Sequence, residues 1–159
     1  MIEVLVAVVV LSIGLSGTAA LVINNVRTTA SAETRTQAII LADQLAESMR
    51  ANMVAYEAAN FTSDPAATAS ICRGGNICTA DVQAQYDATA WKAEVARLLP
   101  GGQAFICTDG TPDDGTPNAL ACDGNGTNVI KIFWINARFK DEKQVGTTNF
   151  RRLVTPVVP

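Results

Sequence analysis

Glu3 stands at the edge of a run, Val4 to Val26, that contains no charged residue. A carboxylate beside so long an apolar stretch either stays outside the apolar phase or meets a cation there. An isolated ion at the centre of a membrane helix costs about 2.5–3.5 kcal/mol even on the most lenient scale. A glutamate near a helix N-terminus is also favoured by the helix dipole, which is the competing account of the same residue. The four cysteines, Cys72, Cys78, Cys107 and Cys122, are the other residues with chemistry of their own. All four follow the apolar run, and an even count in that setting points to an oxidising compartment. Three pairings are possible. The local one, Cys72–Cys78 and Cys107–Cys122, is favoured because each pair brackets a Gly-rich loop. Loop-closure entropy values the two bridges at roughly 2.4 and about 3 kcal/mol. Zinc would need four convergent thiolates, usually on tight C-x-x-C knuckles. The five and fourteen residues between successive partners here do not match that spacing.

Between Cys107 and Asn128 lie Asp109, Asp113, Asp114, Asp123 and Asn125, oxygen donors of the kind that bind calcium. "DGNGTN" partly echoes a calcium loop but lacks the closing glutamate at the required distance. Asp and Asn beside Gly and Pro are ordinary turn residues, so turns are the favoured reading and no metal is expected. The disulfide-tied polar loop is a candidate partner surface. Six of the twelve Lys and Arg residues fall between Lys131 and Arg152. Arg138, Lys140, Lys143, Arg151 and Arg152 form a candidate basic edge, with Trp134 or Phe139 available to stack on bases. Charge that protects a sheet edge is the favoured account, and nucleic acid is disfavoured. The net charge of −3 gives no bulk attraction to nucleic acid. The chain has no histidine, hence no usual general base or pH switch. "RGGN" and "PGGQ" lack the Lys-Ser/Thr of a phosphate loop. No enzymatic activity and no cofactor are expected.

These residues need elements to position them. Val4 to Ile23 as a helix covers about 30 Å, the thickness of a bilayer core. Its β-branched valines are mediocre helix formers in water, but in lipid the unpaired backbone forces the helix. A cleaved signal peptide would be shorter, with a basic start. Ala38, Leu41, Leu45, Met49, Met53 and Tyr56 then recur at steps of three and four, one apolar face of an amphipathic helix. With no proline before Pro65, one helix is predicted from near Ile2 to about Ala59. Gly14 and Gly17 within it each cost about 1 kcal/mol against alanine. They serve either close helix packing or local unwinding, and both readings stay open.

Residues 61–80 read as loop. A second helix is predicted from about Ala80 to Leu99, with a break between Asp87 and Ala90 capped by Thr89, and a stop at Pro100-Gly101-Gly102. Three strands follow: Gln103 to Thr108, one within Asn128 to Phe139, and Thr147 to Val154. The middle one is apolar on both faces, so it should be central and covered on both sides. Short connections favour an antiparallel sheet, and Pro156 and Pro159 should stop pairing near the C-terminus. The fold class is α+β, a long N-terminal helix packed on a small antiparallel sheet head with two disulfides. Three segments are expected: an apolar membrane-spanning or fibre-core half (1–26), an amphipathic half (27–60) and a globular head (61–159).

"IEVLVAVVVLSIGLSGTAAL" resembles the N-terminal segment of type IV pilins, and more narrowly of minor pilins of the PilV kind. "WKAEVARLLPGGQAFIC", "VIKIFWI" and "FRRLVTPVVP" fit the same resemblance. It implies a subunit held in the inner membrane with a periplasmic head, which then joins an extracellular fibre, at its tip. It implies other minor pilins, the major pilin, the inner-membrane assembly platform and a tip adhesin as partners. It also implies that Glu3 pairs with the N-terminal amine of a neighbouring subunit during docking. Precursors of that family carry a short basic leader, and cleavage exposes an amine that is methylated. Here Met1 directly precedes Ile2 and Glu3, so the sequence is expected to be truncated or to carry a misplaced start. A type II secretion pseudopilin and a membrane-tethered periplasmic binding domain are the alternatives.

Overall fold

A computed structural model describes residues 2–59, 61, 72, 78–135 and 150–158. The chain divides into two compact units, Met1–Arg35 and Thr36–Pro159. Helix α1 runs Ile2–Ala51, α2 Met53–Glu57 and α3 Ala80–Leu98. Strands β1 (Gln103–Asp109), β2 (Thr127–Ile135) and β3 (Phe150–Val157) form one antiparallel sheet in that order. The α+β class is as the sequence indicates, and both local disulfides are present, with Cα separations of 5.9 and 6.2 Å.

The predicted single helix to Ala59 instead breaks at Asn52. The Asn52 amide N–H bonds to the Met49 carbonyl at 3.2 Å, which tightens the last turn. Its side-chain oxygen then accepts from Ala55 N–H at 3.3 Å and its amide donates to Ala80 O at 2.7 Å. An asparagine that offers the backbone another partner ends one helix and caps the next. The predicted break in α3 does not occur. Thr89 bonds back to the Gln85 carbonyl at 2.8 Å, as a mid-helix threonine can, and caps nothing.

α3 ends where expected. Gly101 takes φ 59°, and a Cβ there would lie 2.6 Å from Ile135 Cδ1. The same turn presents the Pro100 carbonyl to Ile135 N–H at 2.8 Å, which ties the helix end to the end of β2. β3 passes through Pro156 to Val157 rather than stopping at the proline. It pairs on one side only among the described residues, and an edge strand tolerates a missing N–H.

The second unit's core lies between helices and sheet. Ala38, Leu41, Ala42, Leu45, Ala46 and Met49 of α1 are buried, as the three-and-four spacing requires. They cluster with Ala84, Ala88, Trp91 and Val95 of α3 and with Ile130, Ile132 and Trp134 of β2. The Trp91 indole N–H donates to the Leu41 carbonyl at 2.7 Å, a buried link between the two helices. Alternation along β2 places Val129, Lys131 and Phe133 on the opposite face. All three are fully buried. β2 is thus the central strand with both faces covered, as its composition indicates.

Candidate functional site

The first unit is the apolar part of α1. From Ile2 to Val26 its large apolar side chains are 54–80% exposed, and the helix is long and apolar enough to cross a membrane. Glu3 lies in its first turn, exposed, where the dipole favours an acid. The hydroxyls within this stretch do not look outward for partners. Ser12 donates to Val9 O at 2.8 Å, Ser16 to Ile13 O at 2.9 Å and Thr18 to Leu15 O at 2.9 Å. The unit thereby carries polar side chains at little cost in a medium without water. The helix continues unbroken through Gly14 and Gly17, and a Cβ at either would meet nothing within 4 Å. Ala7, Val10, Leu11, Gly14, Leu15 and Thr18 line a shallow apolar groove along it.

The second unit carries a charged clasp that the sequence reading missed. Lys131, fully buried in the central strand, places Nζ 2.5 Å from Asp109 Oδ2. The same ammonium donates to Leu120 O at 2.9 Å and to the Asp114 carboxylate and carbonyl at 3.2 and 3.3 Å. The Lys131 hydrogen bond, then the Thr111 N–H, hold the Asp109 carboxyl below the usual carboxylate range, with burial acting against them. From β3, Arg152 donates to Gly115 O at 2.9 Å and to Asp113 O and Oδ1 at 2.6 and 2.8 Å. Two cations on neighbouring strands thus grip the loop closed by Cys107–Cys122.

This grip gives the acidic residues their role. Asp109 and Asp114 serve Lys131, and Asp113 serves Arg152. Asp123 accepts from Gly110 and Asn125 N–H at 3.0 and 2.8 Å, and Asn125 Nδ2 returns to the Asp123 carbonyl at 3.3 Å. Each of the four aspartates considered for calcium has a carboxylate oxygen engaged by one of the chain's own cations or backbone N–H groups. The candidate basic edge is divided: Arg152 turns to the loop, while Arg138, Phe139, Lys140 and Lys143 lie outside the described residues. A lysine amid "VIKIFWI" was the visible signal for the clasp, because alternation put it on a covered face.

Residues 20–89 match a family model, Tt1218-like, described as type IV pilin Tt1218. The matched stretch takes in the end of the apolar run, the amphipathic part of α1, Cys72–Cys78 and the first half of α3, and it stops before the sheet. No curated protein and no solved structure matches the chain. The match supports the type IV pilin class, a class of structural subunits rather than enzymes that associate with a membrane and with other pilus components.

Proposed function

We propose that the chain is a minor pilin, of the PilV kind, that is held in the inner membrane with a periplasmic head and then joins a fibre in the initiating complex at its tip. The observation that carries this reading is the apolar part of α1. It is exposed on every side, satisfies its own hydroxyls and belongs to one helix that continues to Ala51. Such a helix is stable in lipid and equally stable among like helices, so transfer between the two is near neutral in hydrophobic terms. Direction then comes from specific contacts. Glu3 is the group whose state differs most between the two surroundings, and a neighbour's N-terminal amine would remove the cost of its charge. In this reading 1–26 is the membrane and fibre-core half, 27–60 the half that joins the head, and 61–159 the head that contacts other minor pilins, the major pilin and the assembly platform.

The test is Glu3→Ala in cells that assemble the fibre. The variant should fractionate with the inner membrane as the native chain does, while its share in sheared fibres falls sharply. Equal incorporation of the two chains would overturn the role of Glu3. Absence of the native chain from fibres altogether would overturn the pilin reading.

A further inference from the structure

Every loop acceptor that Lys131 and Arg152 use lies inside the ring closed by Cys107–Cys122. These are Asp114, Leu120, Gly115 and Asp113. Of residues 110–121 only Pro117 is buried, so the loop itself is mostly exposed or half-buried, while Val129 and Phe133 on the Lys131 face of β2 are fully buried. The bridge is half-buried, and its sulfurs lie within 4.8 Å of a carboxylate oxygen of Asp109. The same disulfide that constrains the loop therefore adjoins the ion pair that the loop covers.

We propose that Cys107–Cys122 makes this loop a redox-controlled lid: closed, it hides Lys131 against the sheet; reduced by a dithiol, it releases and exposes Lys131. In the chemical step a dithiol thiolate attacks one sulfur and forms a mixed disulfide. The second thiol displaces it and leaves as a cyclic disulfide, and Cys107 and Cys122 each end as a protonated thiol. Opening frees the ring's chain entropy and hydrates the Lys131 ammonium, whose other acceptor, Asp109, stays on β1. The head would then exchange a lid carrying Asp113 and Asp114 for a face carrying Lys131 and Arg152, with Val129 and Phe133 on the same face. The redox state of one disulfide would thus set the sign of charge on one side of the head. The proposal does not depend on the fibre reading.

Lysine acylation followed by peptide mass spectrometry tests it on the full chain in detergent micelles, before and after treatment with dithiothreitol under native conditions. In the oxidised protein Lys131 should stay unmodified while half-buried Lys92 reacts. After reduction of Cys107–Cys122, Lys131 labelling should rise to that of Lys92 with the helical circular dichroism unchanged. Cys107→Ala/Cys122→Ala should label at Lys131 without any reductant. The proposal is overturned if Lys131 stays protected once both thiols are free, or if it labels only together with loss of the helical signal. Cys72→Ala/Cys78→Ala should keep Lys131 protected until dithiothreitol is added, which separates this bridge from the other.

Discussion

Lys131 Nζ and Asp109 Oδ2 stand 2.5 Å apart on neighbouring strands, and neither side chain is accessible to solvent. Burying two charges is expensive, and the attraction between them offsets that cost only when the remaining donors are also satisfied. Here the ammonium finds the Leu120 and Asp114 oxygens, and Asp109 Oδ1 accepts from Thr111 N–H at 2.9 Å. Oxygens of the loop thereby complete the surroundings of the buried pair.

Removing one partner leaves the other charge buried and alone. Lys131→Met and Asp109→Asn should each lower the thermal midpoint. Lys131→Met should lower it more, because the amide oxygen introduced by Asp109→Asn can still accept from the ammonium. The double variant should lose less than the two single losses combined, since residues in one network are not additive. Glu47→Gln, which removes the exposed pair with Arg50, should leave the midpoint nearly unchanged. Calorimetry of the four variants checks the order.

Acid should weaken the same pair in a set direction. The Asp109 carboxyl is held below its usual range, foremost by the Lys131 hydrogen bond. A group whose folded pKa is depressed stabilises fully above its unfolded value, about 3.9 for aspartate. That contribution is lost as pH falls through the lower folded value. The stability gap between the native chain and Asp109→Asn should be constant at neutral pH and shrink progressively below about pH 3.9. Urea unfolding across that range measures it, and a gap that widens in acid would refute the assignment.

The helix interface should respond to volume. Leu45 is 2% exposed and packs in the core between α1, α3 and the sheet. Leu45→Ala should cost about 2–5 kcal/mol, the range for a buried leucine whose surroundings relax only partly. Trp91→Phe keeps most of the volume but leaves the Leu41 carbonyl without its donor. A loss of about 1–3 kcal/mol is expected for an unsatisfied buried group. Denaturant midpoints of the two variants check both values.

What the sequence disclosed followed its periodicities. The α1 face from Ala38 to Met49, the end of α3 at Pro100 and the central position of β2 all rest on spacing or on turn residues, which are local properties. The break at Asn52 was hidden because its cause is distant: the side chain's partner is the carbonyl of Ala80. The continuity of α3 through Asp87 has a similar origin, because Asp87 accepts from Ser48 of α1 at 3.0 Å and from Gln83 one turn back at 2.7 Å. Of the acidic loop residues, Asp109, Asp113 and Asp114 meet a cation, whereas Asp123 accepts from backbone N–H groups as a turn residue does. The cation is a lysine and an arginine of the sheet, and only the strand register brings these together with the loop.

Gly14 and Gly17 offer the last prediction. Among the described residues a Cβ at either glycine would meet nothing within 4 Å, and neither breaks α1. In the single subunit Gly14→Ala/Gly17→Ala should therefore raise helix stability, by about 1 kcal/mol per site from propensity alone. The denaturation midpoint of the head should not move, because the substitutions touch none of its core. If the proposed fibre packs these helices closely at the glycines, added methyl groups would hold neighbours apart, and incorporation should fall although the subunit itself is no less stable. Circular dichroism in micelles and blotting of sheared fibres read the two effects separately. Unchanged incorporation with increased helicity would assign the glycines no packing role, and reduced helicity would show that the open space along this face is not what an alanine meets.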